Sequence, residues 1–174
     1  MLTLYVAGME STAKNLQAFF YALARNPEKQ EKLYREIVEF VGESGPVSNE
    51  KLSRMPYLKA VSRKVQVLPC NHFNCMTAFS EAAKFLPERW IRSEVDRKLP
   101  QGISPFACLP FGYGPRNCIG RRFAEQEIYL AIIKILERAK IELQMDSKDV
   151  KFIYAIFIEP SKAINFRFVP RGSG

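Results

Sequence analysis

The stretch Phe111-Gly112-Tyr113-Gly114-Pro115-Arg116-Asn117-Cys118-Ile119-Gly120 constrains this chain more than any other. Its glycines and proline rule out regular structure, whereas the next segment, Arg121 to Gln144, holds neither residue type. A tight turn therefore opens directly into a long helix, and Phe123, Leu130, Ile133 and Leu136 give that helix an apolar stripe for the interior. Cys118 sits at its mouth. A sulfur there meets unpaired amide N–H groups and the positive end of the helix dipole, which favour the thiolate, the form that binds a metal. A buried structural cysteine ahead of a helix is the plainer alternative.

Gly112, Gly114 and Gly120 lack a Cβ, so the backbone can turn tightly and lie close to a flat macrocycle, and Arg116 offers a fixed positive charge suited to a carboxylate. Together these features suit haem. The spacing Phe-x-x-Gly-x-Arg-x-Cys-x-Gly resembles the haem-binding signature of the cytochrome P-450 superfamily, the haem-thiolate monooxygenases, and is complete at every defined position. The resemblance implies haem b (iron protoporphyrin IX) with the Cys118 thiolate as axial ligand. It also implies a propionate on Arg116 and Phe111 packed beside the sulfur. A thiolate pushes electron density onto iron and favours O–O cleavage.

Ala7-Gly8-Met9-Glu10-Ser11-Thr12 resembles the oxygen-binding kink of the family's central helix. Gly8 leaves room beside the iron, while Glu10 and Ser11 supply an acid and a hydroxyl able to pass protons. The family's usual threonine is Ser11 here, and Thr12 can substitute for it. Taken alone, Glu-Ser-Thr near a helix start is an ordinary cap.

Phe85-Leu86-Pro87-Glu88-Arg89-Trp90 resembles the family's Pro-Glu-Arg-Phe segment, whose arginine locks against a Glu-x-x-Arg pair on an earlier helix. Met55 to Val61 matches the start of that helix, but an ungapped continuation puts Lys64 at the glutamate and Val67 at the arginine. A deletion at about Arg63-Lys64 accounts for this better, through alternative splicing or an incorrect gene model, because Val65 to Met76 resembles the strand and loop just before Pro-Glu-Arg. Arg89 is then expected as a buried charge without its carboxylate, which costs on the order of 3 to 5 kcal/mol. The chain is therefore expected to be poorly stable and inactive alone.

The expected fold class is mainly α with a minor β component, the C-terminal portion of the cytochrome P-450 fold. Residues 1–174 form a single partial domain, with Met1 inside the central helix and 170–174 read as an appended tail. The resemblance implies insertion of one oxygen atom from O2 into an apolar organic substrate. The alternative is a non-catalytic fragment acting as an interaction or decoy protein.

A net charge of +8 favours anionic partners, but the basic residues are scattered rather than interleaved with aromatics as on a nucleic-acid surface. Arg121-Arg122 resembles the Gly-Arg-Arg of mitochondrial-type members, which take electrons from an acidic ferredoxin. That resemblance implies the matrix side of the mitochondrial inner membrane, with the endoplasmic reticulum membrane as alternative and membrane association left to a full-length parent. Cys70, Cys75, Cys108 and Cys118 do not form a disulfide framework of a small secreted domain. Cys70, His72 and Cys75 lack a fourth zinc ligand nearby.

Elsewhere, Leu16, Phe19, Phe20 and Leu23 predict one helix over Leu2 to Ala24. Asn26-Pro27-Glu28 predicts a capped second helix stopped by Gly42, Ser48 a short capped helix, and Pro56 a further helix. Val65 to Met76 reads as a short strand running into a loop, and residues 81–110 as a proline-broken coil. Phe152 to Ile158 and Ala163 to Val169 read as a hairpin, with Ile164, Phe166 and Phe168 on one face.

Overall fold

The structure, a computed structural model, describes residues 2–42, 45–67, 81, 84–91, 109–154 and 158–172. The first helix, α1 (Leu2–Arg25), buries Phe19 and Leu23, which recur at helical spacing in a run free of proline. Helix α2 (Pro27–Val41) starts on its proline and stops at Gly42, as expected. Its side-chain cap is not formed: the Asn26 amide donates to the Ala22 carbonyl at 2.7 Å and closes the end of α1 instead. Ser48 does cap α3 (Asn49–Ser53), its Oγ accepting the Lys51 N–H at 3.3 Å.

Helix α4 (Pro56–Val67) is capped from another helix, because Met55 ahead of it offers no side-chain oxygen. The Glu36 carboxylate of α2 accepts the N–H groups of Tyr57 and Leu58 at 2.7 and 2.8 Å, satisfying two amides that the helix cannot pair itself. Burial pushes the Glu36 carboxyl up, against the pull of these two hydrogen bonds. The strand expected from Val65 is not formed over residues 65–67, which continue α4. Val61 and Val65, four apart, enter the core on one helical face. Residues 68–76, including Cys70, His72 and Cys75, lie outside the described residues.

The expected coil over 81–110 contains, in its described part, a single 3-10 turn, Pro87–Trp90, packed on α4. Arg89 is not the enclosed, uncompensated charge that the sequence led us to expect. It is only partly buried and is not without an interaction. Glu81, held below the usual carboxylate range first by Lys84, is lowered further by the charge of Arg89.

Helix α5 (Arg121–Arg138) ends six residues before Gln144, with Ala139 turning extended into β1 (Ala139–Leu143). Long-range pairing, rather than a breaker residue, ends it. Strand β1 pairs antiparallel with β4 (Phe166–Pro170), and Ile141 lies opposite Phe168. The other edge of β1 is served by the buried Gln30 of α2. Its Nε2 donates to the carbonyls of Ile141 and Leu23 at 2.9 and 3.1 Å, and its Oε1 accepts the Ile141 N–H at 2.8 Å. One amide thus stands in for a third strand.

The expected terminal hairpin is re-paired: β2 (Phe152–Tyr154) pairs with β3 (Ile158–Pro160), while β4 joins β1. Phe166 and Phe168 do share a face, and both rings meet Phe20 of α1 edge-on, at 6.0 and 6.3 Å. That packing holds β4 against α1 and β1. Pro170 pairs with Ala139, and the Arg171 guanidinium stacks 3.6 Å from the centre of the Tyr34 ring and bonds Glu31 at 2.9 Å.

Helix α1 packs against α2, α4, α5 and β1, enclosing Phe19, Leu33, Ile37, Leu58, Ile132 and Leu136. The expected stripe on α5 holds only in part. Ile133 and Leu136 are buried with Ile128 and Ile132, whereas Phe123 is 67% exposed and Leu130 is exposed as well. The chain is mainly helical with a minor β component. Among the described residues, no helix is long and apolar enough to cross a membrane.

Candidate functional site

The cysteine loop is built by its own backbone. The Gly112 N–H donates to the Leu109 carbonyl at 3.0 Å, and the Asn117 N–H to Gly114 at 3.1 Å over a 3-10 turn, Gly114–Arg116. Gly112 and Gly114 take φ of +73° and +72°, a region that strains any residue with a side chain. The Cys118 N–H then closes the loop on the Phe111 carbonyl at 2.8 Å, and the Cys118 carbonyl accepts the Arg121 N–H at 3.4 Å as α5 begins. Phe111, Gly112, Gly114, Arg116, Cys118 and Gly120 thus form one continuous turn that delivers the thiol to the start of the helix.

The loop faces solvent. Cys118 is an exposed free thiol, and Ile119 beside it is 91% exposed. Among the described residues Arg116 has no hydrogen-bond or ion-pair partner. The Arg121 guanidinium lies 5.2 Å from the centre of the Phe111 ring, while its Nε bonds Glu125 at 3.1 Å. A Cβ at Gly114 or Gly120 would meet nothing within 4 Å. A thiol, an exposed cation, open backbone and exposed apolar side chains fit the chemistry of haem: a soft ligand for iron, a partner for a propionate and apolar contact for the macrocycle.

Glu10, Ser11 and Thr12 lie on α1, one turn beyond Gly8, where an added Cβ would also meet nothing within 4 Å. The Ser11 hydroxyl donates back to the Ala7 carbonyl at 2.7 Å, as serine does inside helices. Glu10 accepts from Lys14 at 2.7 Å, and Lys14 also pairs with Glu159 of β3. No described hydrogen bond or ion pair joins this trio to the cysteine loop. The tie between α1 and β3 through Lys14 escapes sequence reasoning, since its partner is 145 residues away.

The sequence model of the family described as Cytochrome P450 matches residues 1–66 and, separately, residues 63–167. The two matches meet and overlap at residues 63–66. Mouse mitochondrial 1,25-dihydroxyvitamin D(3) 24-hydroxylase is 32% identical over 199 residues, covering 97% of this chain and 37% of that protein. Human mitochondrial sterol 26-hydroxylase is 30% identical, with the same coverages. Cytochrome P450 CYP12A2 of Musca domestica is 29% identical over 96% of the chain and 38% of its own length. Since 97% of 174 residues is about 169, the 199-residue alignments leave about 30 positions that these relatives fill and this chain does not. The chain spans a little over a third of the length of its curated relatives. With the complete cysteine-loop signature, a family match over nearly the whole length and relatives at 30% identity or more, the chain belongs to the cytochrome P450 family.

Proposed function

We propose that this chain is the C-terminal portion of a haem-thiolate monooxygenase that inserts one oxygen atom from O2 into an apolar organic substrate. The observation that carries this reading is the turn from Phe111 to Gly120. It is closed by the Cys118 N–H on Phe111 and presents a solvent-facing thiol two residues after Arg116, which is exposed and has no partner among the described residues. Cys118 would hold the iron, Arg116 a propionate, and Phe111 would pack beside the sulfur. Gly112 and Gly114 bend the backbone, and Gly120 leaves space at the start of the helix. Haem bound in this way supplies the capacity to activate O2.

The chain's own groups would serve protonation and access. The Ser11 hydroxyl, anchored through its hydrogen to Ala7, keeps its oxygen lone pairs available to accept a proton. Thr12 offers a second hydroxyl, and Glu10 an acid whose position is set by Lys14. Gly8 leaves room for a small molecule at the helix surface. Electrons come from a ferredoxin-type donor drawn by Arg121 and Arg122, and the compartment is the mitochondrion, at the matrix side of the inner membrane. The names of two relatives, a vitamin D 24-hydroxylase and a sterol 26-hydroxylase, both mitochondrial, support an apolar substrate and a mitochondrial compartment.

On its own the chain is inactive in this reading, because it leaves out about 30 positions that its relatives fill, while Ile119 next to the thiol and Phe123 in the first turn of α5 are exposed. Haem titration with carbon monoxide difference spectroscopy tests both parts. The 174-residue chain is expected to give no stable thiolate-type Soret band, and a stable one would contradict its inactivity. A parent protein containing the missing positions is expected to give the band and to lose it on Cys118→Ser. Persistence of the band in that variant refutes the ligand assignment.

A further inference from the structure

The Pro87–Trp90 turn is where the family pattern and this chain part. The pattern fixes the arginine of this segment with a Glu-x-x-Arg pair on the helix that starts at Pro56, and here that helix carries Lys64 and Val67 at the two places. The neighbouring glutamate is bound to both α2 and α4. One oxygen of Glu88, Oε1, accepts from Lys29 Nζ and Lys32 Nζ of α2, both at 3.0 Å, and from the Tyr57 hydroxyl of α4 at 3.2 Å. The Lys32 ammonium also stands 4.5 Å from the centre of the Tyr57 ring.

The other oxygen, Oε2, is buried and has no hydrogen-bond partner among the described residues, so the two lysines and the Tyr57 hydroxyl are the described groups that compensate the carboxylate. Burial works to raise the Glu88 carboxyl, yet its own backbone N–H and the two lysines prevail and hold it down at about 2. Burial and the adjacent carboxylate push the Tyr57 hydroxyl above its usual range. Pro87 and Trp90, at the two ends of the turn, are both buried.

We propose that Glu88 holds the Pro87–Trp90 turn against α2 and α4 through Lys29, Lys32 and Tyr57. The inference concerns the chain's own packing and does not rest on the function proposed above.

Trp90 is the chain's only tryptophan and is 8% exposed, so its fluorescence reports on this turn directly. In Glu88→Gln, acrylamide quenching of Trp90 is expected to rise about twofold or more while the far-UV circular dichroism stays that of a helical chain, because the opening is local. Lys29→Met with Lys32→Met should give the same rise, and adding Glu88→Gln should add nothing, since partners in one interaction are not additive. Salt at about 1 M, where screening acts within about 3 Å, should loosen Trp90 in the parent chain but not in Glu88→Gln. Should Glu88→Gln fail to fold, Lys32→Met decides, because Lys32 is half-exposed and its loss spares the core. Unchanged quenching in the folded variant, or a salt response that survives Glu88→Gln, overturns the proposal.

Discussion

The two ends of α5 carry similar side chains in opposite surroundings. Near its C-terminus, Ile132, Ile133 and Leu136 are fully enclosed, whereas Phe123 in its first turn and Ile119 just ahead of it stand largely in water. Full burial of such a side chain is worth about 1.5–3 kcal/mol, a stabilisation realised at one end of the helix and not at the other. One end of α5 is there to hold the fold. At the other end Ile119 adjoins Cys118, where the proposed haem would cover it, and the exposed apolar groups there contribute little to the stability of the chain as it stands.

The contrast can be broken most easily at the buried end. Leu136→Ala is expected to cost about 2–5 kcal/mol in urea unfolding, through lost transfer energy and the cavity left behind. Next in size, Gln30→Leu leaves the Ile141 N–H and carbonyl without their described partner, while the Leu23 carbonyl keeps the Asn26 N–H, a loss of about 2–3 kcal/mol readable by the same unfolding curve. Glu36→Ala uncaps α4 and should cost about 1–2 kcal/mol, with amide exchange accelerated first at Tyr57 and Leu58.

A smaller effect depends on pH. The Glu88 carboxyl lies at about 2, below its ordinary value of 4.5. A group depressed in this way stabilises the fold above its unfolded pKa and loses that contribution as acid protonates it. Between pH 4.5 and about 2 the parent should therefore lose more stability than Glu88→Gln in an acid titration of unfolding. At the open end, Phe123→Ser should shift stability by no more than about 0.5 kcal/mol. A large loss there would show that the start of α5 is packed after all, and the comparison would fail.

Much of this was legible along the chain. The periodicity of α1, the proline that opens α2, the Ser48 cap and the glycine pair of the cysteine loop all act within a few residues, where hydrogen bonding and dihedral preference are written locally. The failures have a common cause. Ala139 to Leu143 carries no helix breaker and reads as helix until Gln30 and β4 offer its backbone other partners. The terminal strands alternate as a hairpin should, yet Phe20 gives Phe166 and Phe168 a better seat beside β1. Arg89 was expected to be the deficient group of its segment, and the neighbouring Glu88 proves to hold the contacts to α2 and α4.

The sequence by itself determined the cysteine loop, because a turn that needs two glycines at positive φ and a thiol at a helix mouth is specified by consecutive residues. Only the tertiary structure decided where α5 ends, which strands pair and what seats Glu88. Those choices are made by hydrogen bonds across long separations, 111 residues between Gln30 and Ile141 and 59 between Lys29 and Glu88, and such contacts leave no local pattern to read.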